Sequence, residues 1–249
     1  MLGLYRSEFL KLRSVRSNLM MALAAAGLPA IGTVLVAVFI SIENIDDSTI
    51  PRMIGSAGNV SMLIIGILGV LCMTQEYSQS TIRLTLAATP NRYSVYLAKL
   101  LVVIFTMAIL MIGVILVSIA TGNAILSARG FTGDTSHPNA LAAYAALVAV
   151  SVMIGILGVG LGAITRNPPS AIAILLLWPL LVEILVGNIV ASVFSRNVLD
   201  WLPFGAAIQT TFLEVDALKF GRLGSLGYFG LWVLAIVVIG QFVLRRRDA

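Results

Sequence analysis

Long runs without charge are the feature that most constrains this chain. Five runs contain no Asp, Glu, Lys or Arg, and a sixth is interrupted only by Glu183. The runs cover residues 17–42, 53–75, 100–128, 135–165, 167–195 and 223–244. Each can supply the ~20 apolar residues with which a helix crosses a bilayer core. Because the runs are continuously apolar and do not alternate as β-barrel strands do, they predict an all-α integral membrane protein with six transmembrane helices.

The composition leaves no room for a soluble domain. Only 11% of the 249 residues are charged, against about 25% in an ordinary soluble domain. We therefore expect one transmembrane domain covering residues 1–249. The predicted spans lie at about residues 19–40, 56–75, 98–120, 139–165, 169–195 and 225–244.

The first sixteen residues have the pattern of an amphipathic helix. Leu2, Tyr5, Phe9 and Leu12 follow one another at intervals of three to four residues. The cations Arg6, Lys11 and Arg13 are expected to point away from that apolar stripe. This pattern predicts an interfacial helix over residues 1–16 whose basic side faces lipid headgroups. The alternative is an ordinary positive flank that only orients the first span.

The distribution of cations indicates which way the chain crosses the membrane. With a cytoplasmic N-terminus, eleven of the sixteen Lys and Arg residues fall inside and five outside. The outside cations are Arg52, Arg129, Arg196, Lys219 and Arg222. Because cytoplasmic loops are enriched in Lys and Arg, we expect a multi-pass protein of the bacterial cytoplasmic membrane with both termini in the cytoplasm.

The sequence lacks the residues that several kinds of catalytic site require. The only histidine, His137, lies in a predicted outside loop, and a single histidine cannot form the paired ligands of a zinc site. No lysine follows a glycine, as a P-loop requires. We therefore expect no catalytic residues, no metal site and no cofactor bound by this chain. If ATP powers it, another polypeptide must bind the nucleotide.

A polar stretch separates the second and third spans. Residues 76–92 read EYSQSTIRLTLAATPNR, between two apolar blocks. We predict a short cytoplasmic helix over residues 77–88, which ends before the breakers Pro90 and Asn91. Such a helix offers a compact polar surface, held by two membrane helices, on which a partner can dock. The alternative is that its two arginines are only an orienting signal.

Three features in order resemble the permease subunits of ABC-2-type ABC transporters, a bacterial exporter family. They are the N-terminal segment YRSEFLKLRSVRSN, the loop QEYSQSTIRLTLAATPNRYSVYLAKL, and the late outside segment WLPFGAA before a last span ending in RRR. Only the loop is specific. Its acidic start, the TIR triplet and the later P-x-R are frequent in that family, although Ser80 stands where the family often has glycine.

The resemblance implies a partner and a mechanism. The loop over residues 76–92 would be a coupling helix that docks on an ATPase, and its coupling residues would be Glu76, Tyr77, Thr81, Arg83 and Arg92. Two such P-loop ATPase subunits, carrying ATP and Mg, would drive a pair of permeases. The second permease would be an identical copy or a close paralogue. Membrane lipids are further expected partners, and nucleic acid is not.

Two features inside the predicted spans remain. Gly158 and Gly162 form a GxxxG pair in the fourth span, typical of close helix packing. Glu183 is the only carboxylate that we assign to a span. A charge in lipid is costly, so Glu183 is expected to face a bundle interior or a water-filled cavity. It is either a neutral carboxyl bonded between helices or a group on the translocation path.

The function implied is export of a drug, peptide or lipid-like substrate. One alternative is a membrane anchor or assembly factor with no transport role, and the other is a secondary transporter or channel that works without ATP. That class is expected to show inverted repeats and several polar residues within the membrane, and we find no repeat in the sequence.

Overall fold

The computed structural model describes residues 2–89, 91–131, 137–194, 198, 201–214 and 219–246. Six helical segments in these ranges are long and apolar enough to cross a bilayer. They are α2 (Arg16–Phe39), α3 (Thr49–Ser78), α5 (Arg92–Ala128), α6 (Ala140–Thr165), the segment Pro168–Val193, and α10 (Gly221–Arg246). The prediction of an all-α protein with six spans is confirmed.

Shorter elements join or interrupt the spans. The fifth span consists of α7 (Pro168–Leu177), a π-helical turn (Trp178–Val182) and α8 (Glu183–Phe194). The short helices are α1 (Leu2–Ser14), α4 (Ile82–Ala88) and α9 (Pro203–Gln209), and one 3₁₀ turn covers Ile42–Asn44. The third span is longer than the predicted residues 98–120 at both ends. At its start, the side chain of Asn91 accepts hydrogen bonds from the backbone N–H groups of Tyr93 and Ser94 and so caps α5.

The helices α3 and α6 form the centre of the bundle. In the most apolar 18-residue stretch of each of these two helices, two thirds of the residues are buried. In the corresponding stretch of α10, only 17% are buried. Gly158 and Gly162 of α6 face α3, and a Cβ atom at Gly158 would lie 2.8 Å from the backbone nitrogen of Val70. The two predicted packing glycines therefore allow close backbone contact between two helices of the same chain.

Contacts between helix ends define two ends of the bundle. At one end Arg92 donates a hydrogen bond of 2.8 Å to the carbonyl oxygen of Leu244. This end also holds α1 and α4, and we call it the terminal end. At the other, distal end, Arg129 donates a hydrogen bond of 2.7 Å to the carbonyl oxygen of Ala37. The short helix α9 belongs to the distal half, where the buried ring of Phe204 packs edge-on against Phe229 of α10.

Helix α1 lies against α5 at the terminal end. The rings of Tyr5 and Phe105 meet edge-to-face with their centroids 6.3 Å apart. Arg6 and Arg13 are exposed, as the amphipathic pattern predicts. The expectation that Lys11 also points towards headgroups is wrong, because its ammonium group bonds to two buried carboxylates of the same chain.

Candidate functional site

The segment after α3 starts with a sharp turn. The N–H of Thr81 donates to the carbonyl oxygen of Glu76, and the N–H of Ser80 donates to that of Tyr77. This pair of bonds is the Schellman pattern, which places a left-handed residue just after a helix. Here that residue is Ser80, with φ +57°. The preference of the resembled family for glycine at this position therefore has a conformational reason.

Helix α4 is held at one residue and exposed at another. Ile82 is buried at 5% exposure, whereas Leu84 is 72% exposed. The backbone of Arg83 belongs to α4, but its side chain lies outside the described part of the chain, as does Pro90. A leucine exposed on a short, anchored helix at the terminal end is a small apolar patch in a polar segment.

A cluster of four charged side chains lies behind α4. We call Glu8 and Lys11 of α1, Glu76 of α3 and Lys99 of α5 the terminal cluster. The Nζ atom of Lys99 lies 2.6 Å from Glu8 Oε2 and 2.8 Å from Glu76 Oε1. The Nζ atom of Lys11 lies 2.6 Å from Glu8 Oε1 and 2.9 Å from Glu76 Oε1. Two carboxylates and two ammonium groups thus join three helices.

Burial makes this pairing necessary. Glu8 and Lys99 are each 1% exposed, and Glu76 is 6% exposed. Such groups are tolerated in a low-dielectric interior when each has an opposite charge and hydrogen bonds, and the formal charges of the terminal cluster sum to zero. Lys11 is the most exposed member. Partial burial lowers the pKa of Lys11, but the hydrogen bonds and charges of Glu8 and Glu76 outweigh it and hold that pKa above its ordinary value.

The sequence-based interpretation missed this cluster. The view that Glu183 is the only carboxylate in a span is wrong, because Glu76 is a buried residue of the spanning helix α3 and pairs there with the buried Lys99 of α5. The sequence does contain a signal for this cluster. With both termini in the cytoplasm, only three acidic residues, Glu8, Glu76 and Asp248, fall on the cytoplasmic side of the sequence, and Lys99 directly precedes an apolar run. Scarce opposite charges beside apolar runs indicate pairing.

The other predicted coupling residues have different surroundings. Tyr77 is half-buried, and the guanidinium carbon of Arg166 lies 5.2 Å from the centre of its ring. Arg92 is directed towards the end of α10, where it bonds to Leu244. Thr81 precedes α4 and is half-buried. The structure thus brings Glu76 into the terminal cluster and places Tyr77 and Arg92 against α6 and α10.

Glu183 is buried in the distal half of the fold. One carboxylate oxygen accepts hydrogen bonds from the indole N–H of Trp178 at 3.1 Å and from the backbone N–H of Phe204 at 3.0 Å. The other accepts from the backbone N–H of Gly205 at 2.7 Å. Glu183 is 3% exposed. Its carboxyl group therefore joins the π-helical turn of the fifth span to the first turn of α9.

A groove of about 530 Å³ lies beside Glu183, between α3, α8 and α9. Its lining is mainly aliphatic and aromatic, with Asn59 and Gln209 as the neutral polar side chains and Glu183 as the ionisable group among the described lining residues. This volume and this mixture of many apolar and few polar groups are usual for small-molecule sites.

Comparison with known proteins gives the family. No curated protein matches the chain. The family described as ABC-2 family transporter protein matches residues 4–213, which include the terminal cluster, α4, Glu183 and α9. With a match over most of its length, this six-span chain belongs to the ABC-2 family of membrane transporter proteins, the permease components of ABC transporters.

Proposed function

We propose that this chain is the permease subunit of an ATP-driven exporter. Two permeases, identical or closely paralogous, form the translocation path, and two separate P-loop ATPase subunits bind ATP and Mg. The permease itself is not an enzyme. It exports a drug, a peptide or a lipid-like molecule across the bacterial cytoplasmic membrane.

The observation that carries this proposal is the form of α4. This helix presents Leu84 at the surface while Ile82 anchors it against the bundle. Partner interfaces combine an apolar anchor with a polar rim, and the exposed Ser78, Gln79 and Ser80 next to α4 supply polar groups. A short anchored helix with an exposed leucine can dock in a cleft on an ATPase and move with that ATPase.

The distribution of charge supports a cytoplasmic terminal end. Most cations of the described residues lie there, and fewer lie at the distal end. The terminal set comprises Arg6, Lys11, Arg13, Arg16, Arg92, Lys99, Arg166, Arg245 and Arg246, and the distal set comprises Arg52, Arg129, Lys219 and Arg222. This asymmetry follows the positive-inside rule. ATP, which is cytoplasmic, is then on the same side as α4.

The groove beside Glu183 is the candidate substrate path. It lies between α3, whose far end leads into α4, and the unit formed by α8 and α9. A displacement of α3 relative to that unit changes the shape of the groove. In this proposal the carboxyl group of Glu183 holds α9 at the edge of the path, and a second permease closes the open side.

Reconstitution tests the proposal directly. The permease is co-expressed in turn with the P-loop ATPases that the same genome encodes, purified, and placed in proteoliposomes with a panel of drugs, peptides and lipids. We expect a complex of two permeases and two ATPases, ATP-dependent export, and no ATP hydrolysis by the permease alone. ATP hydrolysis by this chain alone, or transport driven by an ion gradient without an ATPase, contradicts the proposal. The second result would favour a secondary transporter.

Two substitutions in α4 test docking. Leu84→Ser removes the exposed apolar side chain, and Arg83→Glu reverses a cation on the same helix. Both are expected to weaken co-purification of the ATPase and its stimulation, with a milder effect for Arg92→Glu. Leu223→Ser is the matched control, since Leu223 is 84% exposed at the start of α10, at the distal end. Normal assembly of folded Leu84→Ser and Arg83→Glu proteins would place the docking surface elsewhere.

A further inference from the structure

The terminal cluster connects helices that lie outside the predicted coupling segment, residues 76–92. Lys99 uses all three donors of its ammonium group, on Glu8, on Glu76 and on the carbonyl oxygen of Cys72 at 3.1 Å. Lys99 therefore fixes α1 and the end of α3 to α5 through one buried atom. Its partners are two carboxylates and one helix carbonyl.

Lys11 extends the same set of bonds to α4. Besides Glu8 and Glu76, its Nζ atom lies 3.3 Å from the hydroxyl oxygen of Thr85. Glu76 acts a second time through its backbone, because its carbonyl oxygen accepts the N–H of Thr81, the residue before α4. The position of α4 is thus set by residues whose side chains belong to the terminal cluster.

We propose that Lys99 is a positioning residue that makes α1, α4 and the adjoining ends of α3 and α5 move as one unit. This inference rests on the proposed function, since it states how motion of α4 reaches the spans. Helix α1 then helps to transmit the motion of α4 to the spans, in addition to anchoring the chain at the lipid surface.

The physical reason is the cost of separating buried charges. Withdrawal of either carboxylate from Lys99 would leave an uncompensated charge in a low-dielectric site. A force on α4 that is transmitted through Thr81 and Glu76 therefore displaces Lys99 and Glu8 with it. Apolar contacts alone resist sliding less, because one apolar neighbour can replace another.

A charge-balanced double variant separates positioning from stability. Lys99→Met alone leaves two carboxylates with only Lys11. In Glu8→Gln/Lys99→Met one cation and one anion are removed together, while Lys11 keeps Glu76 and can still donate to the amide oxygen at position 8. We expect the double variant to unfold at a temperature near that of the unaltered protein, and Lys99→Met to unfold well below it.

Two readouts then test positioning. In the permease alone, spin labels at Arg13→Cys and Leu101→Cys report the distance between α1 and α5. In the reconstituted complex, the molecules exported per ATP hydrolysed are counted. For the double variant we expect a broader distance distribution and at least a ~5-fold loss of export per ATP, the lower end of ordinary coupling between sites. Arg6→Gln, which removes an exposed charge from α1, is expected to change neither readout.

The outcomes are distinct. Normal export per ATP with a narrow α1–α5 distribution in the folded double variant overturns the proposal and makes the terminal cluster purely stabilising. If the unaltered protein shows no ATP-dependent export, the proposed function fails, and the distance measurement alone decides the positioning role. Should the double variant not fold, Glu8→Gln is used for both readouts, since it keeps the bond between Lys99 and Glu76.

Discussion

The helix bundle buries carboxylates in two different ways, one at its terminal end and the other in its distal half. In the terminal cluster, Glu8 and Glu76 are paired with the ammonium groups of Lys11 and Lys99. In the distal half, Glu183 is bonded to the N–H groups of Trp178, Phe204 and Gly205, and no Lys or Arg among the described residues forms an ion pair with it. Both oxygens of Glu8 and of Glu183 accept hydrogen bonds, whereas Oε2 of Glu76 has no hydrogen-bond partner among the described residues. The two arrangements differ in what the carboxylate holds in place.

Ion pairing at the terminal end joins helices through long side chains. Each ammonium group contacts two carboxylates, so the bonds between α1, α3 and α5 share partners, and loss of one member affects all of them. Bonding at Glu183 instead joins a side chain to the backbone of α9. Its strength depends on the direction of N–H groups, which only the fold of residues 201–209 can set. We therefore expect the stability of the terminal end to depend mainly on the charges of its side chains. The stability of the contact between Glu183 and α9 should depend mainly on the directions of the N–H groups.

The largest expected effect is that of Lys99→Met. Removing the cation leaves Glu8 and Glu76 near each other with only Lys11 to balance them, and loss of one partner from a buried ion pair costs ~3–5 kcal/mol. We expect a large fall in unfolding temperature, measured on the purified permease in detergent or nanodiscs. Lys219→Met, which removes an exposed cation at the distal end, is the control. Equal unfolding temperatures for the two variants would mean that the terminal cluster contributes little to stability.

Substitution of Glu183 should have a smaller effect on stability. Glu183→Gln keeps an oxygen acceptor but turns an NH₂ group towards an N–H donor, and an unmade buried bond costs ~1–3 kcal/mol. Glu183→Ala loses all three bonds and is expected to be less stable than Glu183→Gln. Unfolding temperature and export are measured together. Unchanged export by a stable Glu183→Gln protein assigns the residue to structure, whereas lost export with normal assembly places its charge on the substrate path.

A stabilising change is expected at Ser80. Its φ of +57° is costly for a residue with a Cβ atom and not for glycine. Ser80→Gly should stabilise the segment by about 0.5–1 kcal/mol, the net of removed strain and the greater freedom of glycine when unfolded. Slower proteolysis of the loop between α3 and α5 would report this gain. Ser78→Gly, within the last turn of α3, is the control and should have the opposite effect.

The smallest effect is expected for an exposed ion pair. At the distal end Arg52 lies 3.4 Å from Glu214, and both side chains are mostly exposed. Such pairs contribute ~0–1 kcal/mol and are screened by salt. Arg52→Gln should hardly change the unfolding temperature, and raising the salt concentration should remove what difference there is. A loss as large as that of Lys99→Met would show that exposure does not separate the two kinds of pair.

Much of the fold was predictable because lipid imposes a simple rule. Spanning segments must satisfy their backbone groups internally, so long charge-free runs become helices. The short helix after the second span was predictable in its second half only. It was placed over residues 77–88, but α3 continues to Ser78 and α4 covers Ile82–Ala88, because the turn at Ser80 separates the two helices. The start of α4 was not fully specified: the sequence marks Ser80 as unusual for the resembled family, but only the Schellman turn explains the preference for glycine.

The composition of the candidate sites was less predictable. Gly158 and Gly162 predict close packing, but the sequence does not say that α3 is their partner. Glu76 was assigned to a docking surface as part of a motif, and its burial against Lys99 depends on the meeting of helices that begin many residues apart. A coupling role for Glu76, Tyr77, Thr81, Arg83 and Arg92 stays a prediction.

The sequence by itself determined the six spans, the polar segment between α3 and α5, and the scarcity of charged residues that makes each buried one significant. These properties follow from composition and order along the chain, because transfer to lipid is a property of each segment. The tertiary structure alone decided that Lys99 lies between Glu8 and Glu76, and that Glu183 bonds to the first turn of α9. The partners of a buried charge are set by which helix ends meet in space, and no local pattern contains that information.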